Sequence, residues 1–290
     1  MTRAELVDAA AAELGEGPVW DPRRGVVHWV DIDRNAWHRW SPERGALPVI
    51  TVAQTPGFLV LHEDGGLVAG VESGFARLAD DGELDVLAVV ETRADHRMND
   101  GGVDPRGRVW GSTVARSCEQ PTGALWRLDG DGSTHRVLDG VTIGNGLVFL
   151  DGGRSMLFID SATRCLDRLD VDPDTGAVAD RRTVVRFHDE DVPDGLCLDA
   201  EGGVWVAVWG GSSVRRFDLS GRETARVDVP AAQVTSCAFA GPDLEQLVIT
   251  TARKGGHAHP AGGLFVSRPG VVGVPTPTAR GLSRHDVVEQ

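Results

Sequence analysis

The chain has 290 residues, 41% of them hydrophobic, and a formal net charge of −14. That hydrophobic share supplies a large core, and the acidic balance excludes nucleic acid and anionic membrane surfaces as expected partners. The length suits two average domains, but all-β barrels and propellers also run this long as one unit. Cys118, Cys165, Cys197 and Cys237 form no C-x-x-C pair, which predicts free, mostly buried thiols and no disulfide framework. The first twenty residues, "MTRAELVDAAAAELGEGPVW", carry acids within their apolar stretch, so no signal peptide is expected. No run is long enough to be a membrane span. The expectation is a cytoplasmic protein, monomeric or weakly homo-oligomeric.

Read in chain order, one pattern recurs: apolar strand, tight polar turn, apolar strand. The copies are "GPVWDPRRGVVHWVDI", "GFLVLHEDGGLVAGV", "GGVDPRGRVWGSTV", "GLVFLDGGRSMLFIDSA", "GLCLDAEGGVWVAVWGG" and "SCAFAGPDLEQLVITTAR". They begin at Gly17, Gly57, Gly101, Gly146, Gly195 and Ser236, spaced by 40 to 49 residues, about the period of a four-stranded propeller blade. Asp, Gly or Pro stands at each turn tip, as hairpins require. The predicted fold is all-β: a six-bladed β-propeller with a central channel, forming a single domain over residues 1–290. "AELVDAAA" could be helical by its alanines; the preferred reading is a strand that closes the last blade beside "GGLFVSR".

The residues just before the repeat starts are Glu16, Pro56, Asn99-Asp100, Asn145, Asp194 and Thr235. Any one Asn-Gly or Asp-Gly pair reads as a turn. Recurring at one register, they place Glu16, Asn99, Asn145 and Asp194 around one axis. Two carboxylates and two amide carbonyls make a hard oxygen site, suited to Ca²⁺, Mg²⁺ or Mn²⁺; Zn²⁺ more often recruits His or Cys.

At these residues the chain resembles the senescence marker protein, gluconolactonase and luciferin-regenerating-enzyme family, which includes regucalcin. The shared stretches are "GEGPVWDPRRGVVHWVDI", "RMNDGGVDPRGRVWGST", "IGNGLVFLDGGRSMLFIDS", "VPDGLCLDAEGGVWVAVWGG" and "TSCAFAGPDLEQLVITTAR", in family order from residue 15 to 253. The resemblance implies a six-bladed propeller holding one divalent ion in its channel: Ca²⁺ first, with Zn²⁺, Mn²⁺, Mg²⁺ and Fe²⁺ as alternatives. It implies Glu16, Asn145 and Asp194 as metal ligands, Asp194 also as general base, and Arg97, Asn99 and Glu119 as substrate contacts. The implied activity is hydrolysis of sugar lactones such as gluconolactone to aldonic acids. Met98 beside Asn99, the absence of Tyr and the loop "KGGHAHPAGG" depart from the family pattern and bear on the substrate. Two other readings stay open: an esterase or phosphotriesterase acting through the same site, and a non-catalytic calcium-binding or interaction propeller.

Other motifs are set aside. His257 and His259 read as a solvated loop, and "DVDPDTGAVAD" as a hairpin, because Thr175 stands where a calcium loop needs Gly. Cys118 reads as structural; Trp20, Trp110, Trp205 and His28 as core; His96 as a neighbour of the site. The acids Asp189, Glu190 and Asp191 read as solvated.

Overall fold

The computed structural model describes residues 2–188, 190–256 and 258–282. Asp189 and His257 therefore lie outside the described residues. Among the described residues the helical pieces are three short 3-10 turns, at Ile32–Arg34, Asp151–Gly153 and Ser161–Thr163. Everything else regular is strand.

The strands form mainly antiparallel sheets, with Thr2–Arg3 and Thr278–Ala279 added as short parallel pieces. Sheet I runs through Gly15–Asp21, Val26–Asp31 and Ala36–Ser41, with short outer pieces at Gly45–Ala46 and Ile50–Thr51. Sheet II begins at Phe58–His62, sheet III at His96–Val103 and sheet IV at Gly144–Leu150. Sheet V begins at Val192–Leu198 and sheet VI at Gln233–Ala240; a single pairing, Trp209 with Gln233, links them. Sheet VI is completed from the other end of the chain, Glu5–Asp8 lying antiparallel to Leu264–Ser267. The strand reading of "AELVDAAA" is borne out, because tertiary pairing overrides the helical preference of its alanines.

The first strand of each sheet packs against the first strand of the next, and that of sheet VI returns to that of sheet I. The core follows this ring. Each seam between neighbouring sheets holds its own apolar cluster. Trp37 and Leu59 fill I–II, Phe75 and Met98 II–III, Trp110 and Phe158 III–IV. Leu166 and Val206 fill IV–V, Trp205 and Phe265 V–VI, Trp29 and Val248 VI–I. Burying each large side chain is worth about 1.5–3 kcal/mol, so no seam opens cheaply.

The turn after the first strand repeats one device. Asp104 accepts the amides of Arg106 and Arg108 and the indole N–H of Trp110. Asp199 does the same for Glu201, Gly203 and Trp205. Trp110 and Trp205 are thus core residues tied at both ends, as expected. His28 is fully buried, its Nδ1 accepting the Trp37 indole N–H at 3.1 Å. Asp172 accepts the amides of Asp174 and Thr175, which makes the "calcium-loop" stretch a hairpin turn. All four cysteines are free; Cys197 and Cys237 face each other with sulfurs 3.6 Å apart. No helix among the described residues is long and apolar enough to cross a membrane.

Candidate active site

The dipeptides that read as turns are β-bulges. Pairing slips between Glu16 and Val19, Met98 and Gly101, Gly144 and Leu147, and Pro193 and Leu196. A bulge inserts an extra residue and re-aims a side chain. Here each slip falls on a polar residue of a first strand: Glu16, Asn99-Asp100, Asn145 and Asp194. In sheet II, with Pro56 at this register, the first two strands pair without a slip. Sheet VI has its slip at Thr235, whose hydroxyl is taken by the Gly15 carbonyl at 2.5 Å. The glycines after Asp100, Asn145 and Asp194 let neighbouring strands approach, whereas Gly17 after Glu16 is used for its positive φ of 52°. A Cβ on Gly146 would lie 2.6 Å from Leu196 Cγ, and one on Gly195 would lie 2.1 Å from Ser236 Oγ.

The approach to two of these residues is clamped from the second strand. Asp31 accepts the amides of Glu13 and Leu14, just ahead of Glu16. Asp160 accepts those of Thr142 and Ile143, just ahead of Asn145. Such paired amide–carboxylate bonds fix the backbone from which the site side chains project.

Arg97, Asn99 and Asn145 form one buried chain. Arg97 Nη1 donates to Asn99 Oδ1 at 2.7 Å, and Asn99 Nδ2 donates to Asn145 Oδ1 at 2.8 Å and to the Gly144 carbonyl at 2.8 Å. Asn145 Nδ2 donates to Ser161 Oγ at 2.7 Å, and Ser161 Oγ donates to the Pro193 carbonyl at 2.6 Å. A hydroxyl has one proton, so Ser161 can only accept from Asn145, which fixes the Asn145 amide with its oxygen on the Asn99 side. Arg97 makes no ion pair among the described residues although it is 6% exposed.

Three carboxylates converge on this chain. Burial, then the charge of Asp100, pushes Glu16 up to about 8. Burial, then Glu16 and Asp100, holds Asp194 well above the usual carboxylate range. Asp100 keeps some surface open to the channel, yet the dense packing around it raises its carboxyl to about 6. Asp194 Oδ1 is buried and accepts no hydrogen bond among the described residues. Crowded acids with an unsatisfied oxygen suit a cation better than a proton. Among the described residues no three His, Cys, Asp or Glu side chains form a metal-binding group by themselves. The residues that could hold an ion here are Glu16, Asp194 and the Asn145 amide oxygen, an all-oxygen set that would fit a hard divalent cation.

A cavity of about 70 Å³ touched by Asp100 and Ser236 shares Leu59, Gly101, Leu147 and Leu196 with an apolar cavity of about 270 Å³, which residues 274–277 also line. His96 bridges Asp95 and Thr122 at 2.8 and 2.9 Å, tying down the segment 116–122 beside Arg97.

Structure thus brings together five of the six expected residues: Glu16, Arg97, Asn99, Asn145 and Asp194. Glu119 sits exposed on the segment 116–122 and makes no hydrogen bond or ion pair among the described residues. Sequence reasoning passed over Asp100, although it adjoins Asn99 in the same bulge, and Ser161, which carried no signal beyond its place at the end of a strand.

Residues 14–253 match the model of the SMP-30/Gluconolactonase/LRE-like region. The chain belongs to that family. It is 37% identical over 254 residues to the pentonolactonase XacC of Haloferax volcanii, covering 87% of this chain and 86% of that one. It is 36% identical over 264 residues to the putative sugar lactone lactonase YvrE of Bacillus subtilis, covering 88% and 90%. Among solved structures it resembles a calcium-binding protein, regucalcin, from Agrobacterium tumefaciens: TM-score 0.90, 27% identity, 96% and 98% of the two chains covered. Family membership places the chain among relatives named as lactone hydrolases.

Proposed function

We propose that the six sheets are the blades of a single β-propeller and that its channel hydrolyses sugar lactones. Glu16, Asn145 and Asp194 would hold one divalent ion. The observation that carries this reading is the buried, unpartnered Oδ1 of Asp194 among raised carboxyls, on a chain related to named sugar lactonases. A bound ion supplies Lewis-acid stabilisation of charge on the lactone carbonyl and offsets the repulsion of Glu16 and Asp194.

The remaining work falls to side chains. Asp194 carries two oxygens: one would hold the ion, and the other takes the proton from the attacking water. Water adds to the carbonyl carbon, the ring C–O bond breaks, the ring oxygen takes a proton, and an aldonic acid leaves as its anion. Arg97 has guanidinium N–H groups left over after its bonds to Met98 O and Asn99, and these orient the lactone and attract the anionic product. Asn99 spends both amide hydrogens on Gly144 O and Asn145 Oδ1. Its main task is then to hold Arg97 and Asn145 in place, with its oxygen's second lone pair left for substrate. Glu119, exposed on the segment 116–122, is assigned no contact.

The calcium-binding description of the Agrobacterium relative favours one second reading, an ion-binding propeller without turnover. Asp194→Ala separates the two. The lactonase reading predicts a loss of at least ~10³-fold in kcat. Parent-like turnover in that variant would remove Asp194 from the chemistry, and absence of turnover in the parent would favour the second reading.

A further inference from the structure

Two half-exposed charges meet beside the segment that leads to Glu16. Lys254 Nζ lies 3.0 Å from Asp33 Oδ2, with side chains 42% and 35% exposed. Lys254 is the only lysine of the chain. Both residues are anchored to the segment that delivers Glu16. On one side Asp31 pairs with Gly15 and Ile32 N donates to the Leu14 carbonyl at 3.0 Å, which sets the 3-10 turn bearing Asp33. On the other side Ala252 bridges Leu14 and Arg253 N donates to the Glu13 carbonyl at 3.3 Å, and Lys254 follows. Gln233 Nε2 donates to the Lys254 carbonyl at 3.1 Å. The two side chains thus reach toward each other across Glu13 and Leu14, on the approach to Glu16. Their charges are felt in the site: Lys254 at Glu16, Asp33 at Arg97.

An exposed ion pair contributes little to stability. This one keeps spare valences: two ammonium N–H bonds on Lys254 and several lone pairs on Asp33. Adjacent donors and acceptors of that kind match neighbouring hydroxyls on a sugar. We propose that Asp33 and Lys254 form an outer subsite that binds the hydroxyl groups of the lactone and so selects polyhydroxylated rings over plain ones. This rests on the lactonase reading above.

The test compares D-gluconolactone with δ-valerolactone, the same ring without hydroxyls, on the full chain and on Lys254→Met and Asp33→Asn. The expected result is a fall of roughly tenfold in the ratio of the two kcat/KM values, carried by KM for the sugar lactone. A Tm within about 2–4 °C of the parent confirms that folding is intact. A ratio within about twofold of the parent in both variants overturns the subsite and leaves the lactonase reading standing. A parent that hydrolyses neither of these nor any other pentono- or hexonolactone overturns both.

Discussion

Ser161 Oγ accepts the Asn145 amide at 2.7 Å and donates to the Pro193 carbonyl at 2.6 Å, which couples the oxygen donor of sheet IV to the strand that carries Asp194 in sheet V. Neither bond concerns the reacting atoms, yet together they decide which end of the Asn145 side chain faces the carboxylates. Removing an outer partner of this kind typically costs 10–100-fold in metal affinity. Ser161→Ala should therefore weaken divalent-ion binding by about that factor, read by calorimetric titration of chelated protein. Parent-like affinity would mean that Asn145 is held some other way.

The raised carboxyls make a sign-definite statement about pH. Glu16 moves from its ordinary 4.5 to about 8, and Asp194 moves in the same direction, so the folded, ion-free protein binds these protons more tightly than the unfolded chain. Their stabilisation is complete below about pH 4.5 and is lost as pH rises toward 8, a change on the order of a few kcal/mol. In chelator, Tm should fall across that window. With a saturating divalent ion the fall should shrink or reverse, because the ion binds the deprotonated site. Thermal melts from pH 5 to 8.5 with and without the ion check this.

Gly195 tests the bulge geometry. A methyl group there meets Ser236 Oγ at 2.1 Å and Ser236 Cβ at 2.5 Å. Gly195→Ala must push sheet VI away from sheet V or displace Asp194, at a cost of about 1–3 kcal/mol. Denaturant unfolding should show that loss, and activity should fall more than stability alone explains.

Asp199 separates scaffold from site. Its carboxylate holds the Trp205 indole at 2.8 Å and Arg216 Nε at 2.6 Å, far along the strand from Asp194. Asp199→Ala leaves the buried Trp205 indole N–H without its acceptor and Arg216 with only Glu201 and Thr224, and should cost about 1–3 kcal/mol. At temperatures where the variant remains folded, its ion affinity should match the parent's. A large change in affinity would show that the turn and the site are coupled.

Much of this arrangement was legible in the repeat. Gly57, Gly101, Gly146 and Gly195 mark four of the first strands because a side chain there would meet a neighbour at under 3 Å, and that need leaves a periodic trace; Gly17 holds the same register for another reason, its positive φ of 52°. Glu16, Asn145 and Asp194 were legible because polar residues recur at one register where apolar ones would otherwise stand. What escaped depends on contacts distant in sequence. Asp31 and Asp160 look like ordinary strand ends, and their clasp on amides seventeen or eighteen residues earlier appears only once the strands pair. Asp100 was overshadowed by Asn99 because a simple strand sends two adjacent residues to opposite faces, and only the bulge brings the second toward the channel. Glu119 was carried over from a motif on a turn segment, where no periodicity constrains direction.

The most direct test of the central claim is acid release from a panel of pentono- and hexonolactones, measured with chelated protein reloaded with one divalent ion at a time. Turnover should vanish on chelation and return with at least one of Ca²⁺, Mn²⁺, Mg²⁺ or Zn²⁺ in the parent, but with none of them in Glu16→Gln or Asp194→Ala. Full activity in the chelated parent, or no acid released from any lactone with any ion, would contradict a metal-dependent lactonase built on Glu16, Asn145 and Asp194.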